Sequence, residues 1–347
     1  IKHYKFFITT TSDTTSFTFN ISASGLYYID WGDGTRKTIK KTDLTNTPYT
    51  HEYATAGKYT IKIGGHANGY NGYSYAISFA GNKNIAGISG SIGAVFSTLK
   101  TEKNFQPRFN NLFQGCTNLS SSIPPELFKG IYGQPITWMY AHTFQGCSNL
   151  TGEIPMGLFG KLSGAPAARM FGYTFGSCKK LTGSIPSKLF GELNGVPADE
   201  MFYATFQQCT GLTGAIPSDL FSDIYGEPAV RMFRETFQYC SGLNGPIPAN
   251  LFAKIKGTTK YWSYGQLFQG CTNLTGTIPD NFFGDIYGQP GQGAFYSTFY
   301  GCANISGNLP TDLFNKLSGK PITSMFQSTF SGCKKLTGPI PSGFFGT

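Results

Sequence analysis

All eight cysteines of the chain stand on one ladder: Cys116, Cys147, Cys178, Cys209, Cys240, Cys271, Cys302 and Cys333, each 31 residues after the last. A fixed period of this size marks a solenoid, in which each repeat is one rung that buries its apolar side against its neighbours. Other columns keep the same beat. Three residues after each Cys comes Leu or, once, Ile305; four further on stands Ile or, once, Leu309, and Pro follows every time. One unbroken Phe column runs from Phe113 to Phe330 and a second from Phe128 to Phe345. Such columns let each side chain pack on its own copy above and below. A rung alone has too little to bury, so the rungs are expected to fold as one cooperative array.

Within a rung, Leu-Thr-Gly-x-Ile-Pro alternates as a short strand does, with Leu, Gly and Ile inward, and the Pro ends it. Pro-x-x-Leu-Phe-x-x-Ile, as at Pro217 to Ile224, has the spacing of a short helix with Pro in its first turn. A Gly-x-Pro loop follows. Met-Phe-x-x-Thr-Phe-x-x-Cys then reads as a second helix, its apolar residues at i, i+1, i+5 and i+8 near one helical face. The expected fold is an α+β repeat of 31-residue rungs, short parallel strands plus short helices, behind an N-terminal all-β sandwich.

The repeated word Met-Phe-x-x-Thr-Phe-x-x-Cys-x-x-Leu-x-x-x-Ile-Pro resembles that of bacterial BspA-like leucine-rich-repeat surface proteins, over about residues 79–347. The unit here is longer than that family's usual rung by the Pro-x-x-Leu-Phe piece and its loop. Leu-Thr-Gly-x-Ile-Pro is also similar to the word of plant leucine-rich repeats, but the cysteine column favours the bacterial comparison. The resemblance implies a cell-surface protein whose repeat loops bind host protein or glycan.

Residues 1–78 read as a β domain of short strands between Ser, Thr, Gly and Asp turns. Ile29-Asp30-Trp31-Gly32-Asp33-Gly34, then His51-Glu52-Tyr53 and Gly57-Lys58-Tyr59, resembles the PKD-type immunoglobulin-like domain of bacterial surface proteins. Trp31 is expected between two sheets; Asp30 and Asp33 serve the turn or, alternatively, ligate calcium. Residues 79–112 read as a degenerate capping repeat, with Phe79-Ala80-Gly81-Asn82 matching Phe113-Gln114-Gly115-Cys116 and Asn82 in the Cys place. Eight rungs occupy residues 113–347, the fifth the most divergent, with Lys260-Tyr261-Trp262-Ser263-Tyr264 and Leu267 in place of Thr.

Twenty-seven basic and eighteen acidic residues leave a net charge of +9, scattered rather than gathered in the dense stripe a nucleic-acid groove needs. No run reaches the length of a membrane span. The chain begins at Ile1 rather than Met, which fits a processed, exported protein and equally a piece of a longer one. The last rung stops at Phe344-Phe345-Gly346-Thr347 without a polar cap, and Phe344 and Phe345 are the candidate assembly edge for a second copy docking head to tail.

Three readings of the cysteines stand open: buried column-fillers, disulfides between rungs, or metal ligands. His3, His51, His66 and His142 sit in no acid–base constellation, and no phosphate loop or nucleophile motif appears, so neither an enzyme nor a cofactor is expected. The candidate interaction surface is the set of loop aromatics Tyr132, Trp138, Tyr225, Tyr261, Trp262 and Tyr287, suited to sugars or another subunit. The expected role is an extracellular structural protein that assembles with copies of itself. An adhesin for host protein or glycan is the alternative.

Overall fold

The structure, a computed structural model, describes residues 3–347, so Ile1 and Lys2 lie outside it; among the described residues it is all-β, with no helix. The N-terminal region supplies β1 (Tyr4–Thr10), β2 (Thr14–Ile21), β3 (Ser24–Asp30), β4 (Arg36–Lys41), β5 (Thr47–Gly57), β6 (Thr60–Gly69), β7 (Ile77–Ser78) and β8 (Ile85–Gly90). They form a five-stranded sheet in the order β4-β3-β6-β1-β8 and a three-stranded sheet in the order β5-β2-β7. Alternate residues point inward, as in Phe6 and Ile8 of β1 and Phe17, Phe19 and Ile21 of β2, all buried. Trp31 is buried beside Phe19, at 5.8 Å between ring centroids.

β8 belongs to the stretch read as a degenerate repeat, and it pairs antiparallel with β1. Phe79 of the same stretch stacks on Phe113 of the first full rung, at 5.6 Å and 9° between planes. Asn82, in the place of the cysteine, sends its Nδ2 back to the carbonyl of Thr18 in β2 (3.1 Å). One hydrophobic cluster runs from Phe6 through the whole solenoid.

Beyond residue 112 the chain winds as a β-solenoid. Its strands are short, two to four residues, and pair parallel. Gly152 faces Leu181, Ser163 faces Glu192 and Ser306 faces Lys335, each pair 29 residues apart. The sequence period is 31, so each rung slides two residues along its strand relative to the last. A slip of two keeps every inward residue inward. The strand expected across Leu-Thr-Gly-x-Ile is cut short because its Gly is not inward and extended: Gly152, Gly183 and Gly214 sit half-buried at φ of 78°, 73° and 77°.

Neither expected helix exists. Pro-x-x-Leu-Phe makes single turns, with Leu127 N–H on Pro124 O (3.1 Å) and then Ile131 N–H on Phe128 O (3.3 Å). Met-Phe-x-x-Thr-Phe-x-x-Cys is a ribbon of overlapping turns. In the rung around Phe171, the N–H groups of Arg169, Phe171, Tyr173, Phe175 and Ser177 donate to Asp199, Met201, Tyr203, Thr205 and Gln207 of the next rung, at 2.7–3.0 Å. The N–H groups between them, from Met170 to Cys178, close turns onto carbonyls three residues back. Every fourth residue takes positive φ: Arg169 at 55°, Tyr173 at 55°, Ser177 at 62°. The ribbon therefore repeats every four residues, close enough to 3.6 that its inward Met170, Thr174 and Cys178 imitate a helical face.

Three aromatic ladders fill the solenoid. Phe144, Phe175, Phe206 and Phe237 stack at 5.6 Å, their planes nearly parallel. Phe171, Phe202 and Phe233 do the same at 5.7 and 5.9 Å, and Phe159, Phe190 and Phe221 at 6.0 and 6.1 Å. Beside them lie buried hydroxyls and thiols. The Thr174 hydroxyl reaches Phe171 O (2.8 Å) in its own rung and Tyr140 O (2.9 Å) in the rung before, and it can donate to either. In the fifth rung Leu267 lacks that hydroxyl, and Ser263, one ribbon unit upstream, reaches Lys260 O (2.9 Å) and Ala229 O (3.1 Å) instead.

All eight cysteines are free and buried, the first of the three readings above. Each thiol donates to a Phe carbonyl of the preceding rung, as Cys178 does to Phe144 O (3.1 Å) and Cys209 to Phe175 O (3.0 Å). Burial pushes the Cys209 thiol up to about 12 and that of Cys333 up to about 11.

Two outcomes follow. The ribbon position before each cysteine is Gly in five rungs and Ser177, Gln208 or Tyr239 in the others, always at positive φ. Gly301→Ala is expected to cost about 1–2 kcal/mol and Gln208→Gly to gain up to about 1 kcal/mol, read from denaturant melts. The thiols stay protonated in the fold at a pH where unfolded cysteine ionises. Stability therefore holds up to about pH 8.5 and falls above it, by as much as roughly 1.4 kcal/mol per pH unit per thiol. Melts at pH 7 and pH 10.5 check this, and alkylation of the native protein should mark Cys333 first.

Candidate functional site

The ribbon face carries a second, polar ladder. Positions 138, 169, 200, 231 and 262 fall on one column and read Trp138, Arg169, Glu200, Arg231, Trp262. All five take positive φ, between 49° and 66°. The ribbon turns them outward in register, one per rung. Arg169 lies over the Trp138 ring (4.7 Å) and grips Glu200 with two nitrogens, Nε at 2.9 Å and Nη2 at 3.3 Å. Glu200 also accepts from Arg231 Nη1 (3.2 Å), and Arg231 lies over Tyr261 (4.9 Å). Burial works to raise the Glu200 carboxyl, and the hydrogen bonds and charge of Arg169 and Arg231 outweigh it and hold it below the usual range.

Beside this column Arg234 lies between Tyr203 (5.5 Å) and Trp262 (4.2 Å). Its neighbour Glu235 is buried, which raises its carboxyl despite Arg234 Nε at 3.1 Å. Gln207, Gln238 and Gln269 link side chain to side chain at 2.6 Å across three rungs.

The sequence-predicted aromatics fall into two groups. Tyr132, Tyr225 and Tyr287 share one column, exposed at 41%, 50% and 41%, where the Gly-x-Pro loops meet the parallel ladder. They stand three and then two rungs apart, with Ser163, Asn194 and Lys256 between them, so they form separate handles rather than one platform. A groove of about 670 Å³ runs beside Tyr132, lined by Glu126, Lys129, Ile131, Leu158 and Lys161. Tyr261 is exposed, but Trp138 and Trp262 are half-buried under their arginines. Trp262 lies flat on the sixth rung, where a Cβ at Gly293 would come within 2.6 Å of the indole. Gly293 thus leaves room for Trp262.

Of the candidate assembly edge, Phe344 is buried against Phe314 and Phe330, while Phe345 is half exposed. Around it Ile322 and Ile340 are exposed, and the N–H groups of Phe326, Ser328 and Phe330, whose counterparts in earlier rungs donate onward, reach the open face.

In the N-terminal sheets Asp30 and Asp33 serve the turn. Asp30 accepts from Gly32 N–H and Arg36 Nε, both at 3.0 Å, and Asp33 from Thr35 N–H (2.9 Å). His51 Nε2 lies 2.7 Å from Asp33 Oδ2 and its ring stacks on Trp31. Among the described residues no cluster of three or more His, Cys, Asp or Glu side chains could hold a metal ion, and no helix is long and apolar enough to cross a membrane.

Sequence reasoning passed over two features. The Trp-Arg-Glu-Arg-Trp column was visible at the same 31-residue spacing as the cysteines. Tyr73, 98% exposed, ends a tandem Asn68-Gly69-Tyr70-Asn71-Gly72-Tyr73 whose first tyrosine is buried. Compared with protein families, curated proteins and solved structures, the chain has no match in any of the three. The class is carried by the fold alone: a β-solenoid joined to a two-sheet β domain.

Glu200→Gln is expected to cost roughly 1 kcal/mol near pH 7. The wild type should lose the same increment as pH falls through the depressed carboxyl range, and the variant should not. Melts from pH 7 down to pH 3 check both.

Proposed function

We propose that the chain is a structural protein of a bacterial cell surface, exported and non-catalytic, that assembles head to tail into a filament or layer. The observation that supports this reading is the axial hydrogen-bond ladder. In every ribbon that has a rung after it, alternate N–H groups donate along the solenoid axis, so the molecule is a rod cross-tied by backbone bonds between rungs. A rung's outer face carries donors and apolar rings that the next rung covers, and on the last rung that face, with Phe345, is where a second copy would dock. The leucine-rich-repeat and PKD-like resemblances support the surface location.

A second reading, an adhesin for host protein or glycan, is favoured by the exposed Tyr132, Tyr225 and Tyr287 along the loop edge. The two separate in solution. Under the first, the protein at increasing concentration elongates into fibres or sheets in electron micrographs, and Phe345→Asp together with Ile340→Asp keeps it monomeric. A wild-type protein that stays monodisperse by light scattering at the highest soluble concentration removes the assembling role.

A further inference from the structure

The loop between β6 and β7 holds one ring wholly in water. Tyr73 is 98% exposed, yet its loop is tied down. Asn71 Oδ1 accepts from Tyr73 N–H (2.8 Å) and Ser74 N–H (3.2 Å), and Asn71 Nδ2 donates to Leu44 O (3.0 Å). Across a groove of about 310 Å³, whose lining is Gly72, Tyr73, Arg108, Thr137 and Trp138, stands a second aromatic ring. Trp138 is held in place too: Arg169 covers it, His142 stacks near it at 6.2 Å, and its backbone is bonded to the next rung.

Arg108 spans the groove. Its Nε donates to Thr137 O (2.8 Å) and its Nη1 to Asn71 O (3.2 Å), which fixes the guanidinium between ribbon and loop. Its Nη2 has no protein partner among the described residues and is not sealed from solvent. Burial lowers its pKa from the ordinary arginine value, which still leaves it charged at neutral pH. No carboxylate lines the groove.

We propose that this groove binds a sugar carrying a carboxylate, a uronic acid unit of an acidic glycan. The Trp138 ring is already held by Arg169 and the Tyr73 ring stands on a backbone fixed by Asn71, so the entropic cost of closing on a pyranose is confined to the Tyr73 side chain. The guanidinium supplies the directional donor that a carboxylate accepts. The size is that of a small ligand site. The site is independent of self-assembly: it lies where the β domain meets the first rungs, away from the last rung, and works in a monomer.

The test uses the whole chain, with trigalacturonic acid, its full methyl ester and triglutamate as probes, read by calorimetry and by ligand-observed NMR at low salt. Trigalacturonic acid should bind, and the ester and triglutamate should bind at least 10-fold more weakly. Tyr73→Ala should weaken trigalacturonic acid at least 10-fold with the melting temperature unchanged, since the ring packs on nothing. Arg108→Lys should weaken the acid while narrowing its margin over the ester. No binding at millimolar probe, equal affinity for the ester or triglutamate, or an unaffected Tyr73→Ala overturns the proposal. None of these outcomes bears on whether the protein forms fibres.

Discussion

A backbone that turns every two or three residues must satisfy its polar groups somewhere, and in this protein it does so by alternation. Along each Met-Phe-x-x-Thr-Phe-x-x-Cys ribbon but the last, one N–H closes a local turn and the next crosses to the following rung. A buried peptide group without a partner costs on the order of 1–3 kcal/mol, so no ribbon is stable until its neighbour is in place. This couples the rungs more tightly than side-chain packing alone. It also accounts for residues such as Trp138, Arg169 and Glu200 at positive φ, a conformation that costs about 1–2 kcal/mol for a residue with a Cβ. The crossing bonds offset that strain, and in return the geometry points those side chains outward.

The interior repeats the logic with side chains. The Thr and Cys columns place their hydroxyls and thiols against carbonyls of the preceding rung, so even the small polar atoms of the core lie across a rung boundary. Where a rung departs from the pattern, the departure is matched nearby. Ser263 takes over for the hydroxyl missing at Leu267, and Gly293 opens space for Trp262. The same coupling makes the solenoid a rod, which is the property the proposed structural role draws on. Its outward columns point side chains away from the core in register, and the Tyr73–Trp138 groove lies where the repeat meets the β domain.

Much of this was legible in advance, and the limits are instructive. The cysteine column and, up to the last rung, the Phe columns were read correctly as buried, because a residue type repeated at a fixed spacing reports its environment directly; Trp31 is buried as expected too, while Phe330 and Phe345 of the last rung are not. The helices were misread because a four-residue ribbon and a 3.6-residue helix drift apart by less than half a residue per unit. Over the nine residues from Met170 to Cys178 the two patterns coincide. The column that is Gly in five rungs was the available sign of positive φ. Trp138 and Trp262 were chosen as exposed loop rings, but nothing local to them shows that Arg169 and Arg234 would cover them from the next and preceding rungs.

By itself the sequence determined the period, the burial of the columns and the join of a β domain to a repeat array, since periodicity and apolar spacing are local properties of the chain. The tertiary structure alone decided how the rungs meet. Residues 29 apart pair in the strands and residues 30 apart exchange bonds in the ribbons, although like residues recur every 31. Register between rungs is settled by satisfying backbone donors and acceptors, which are the same in every residue but proline and so leave no mark on the sequence.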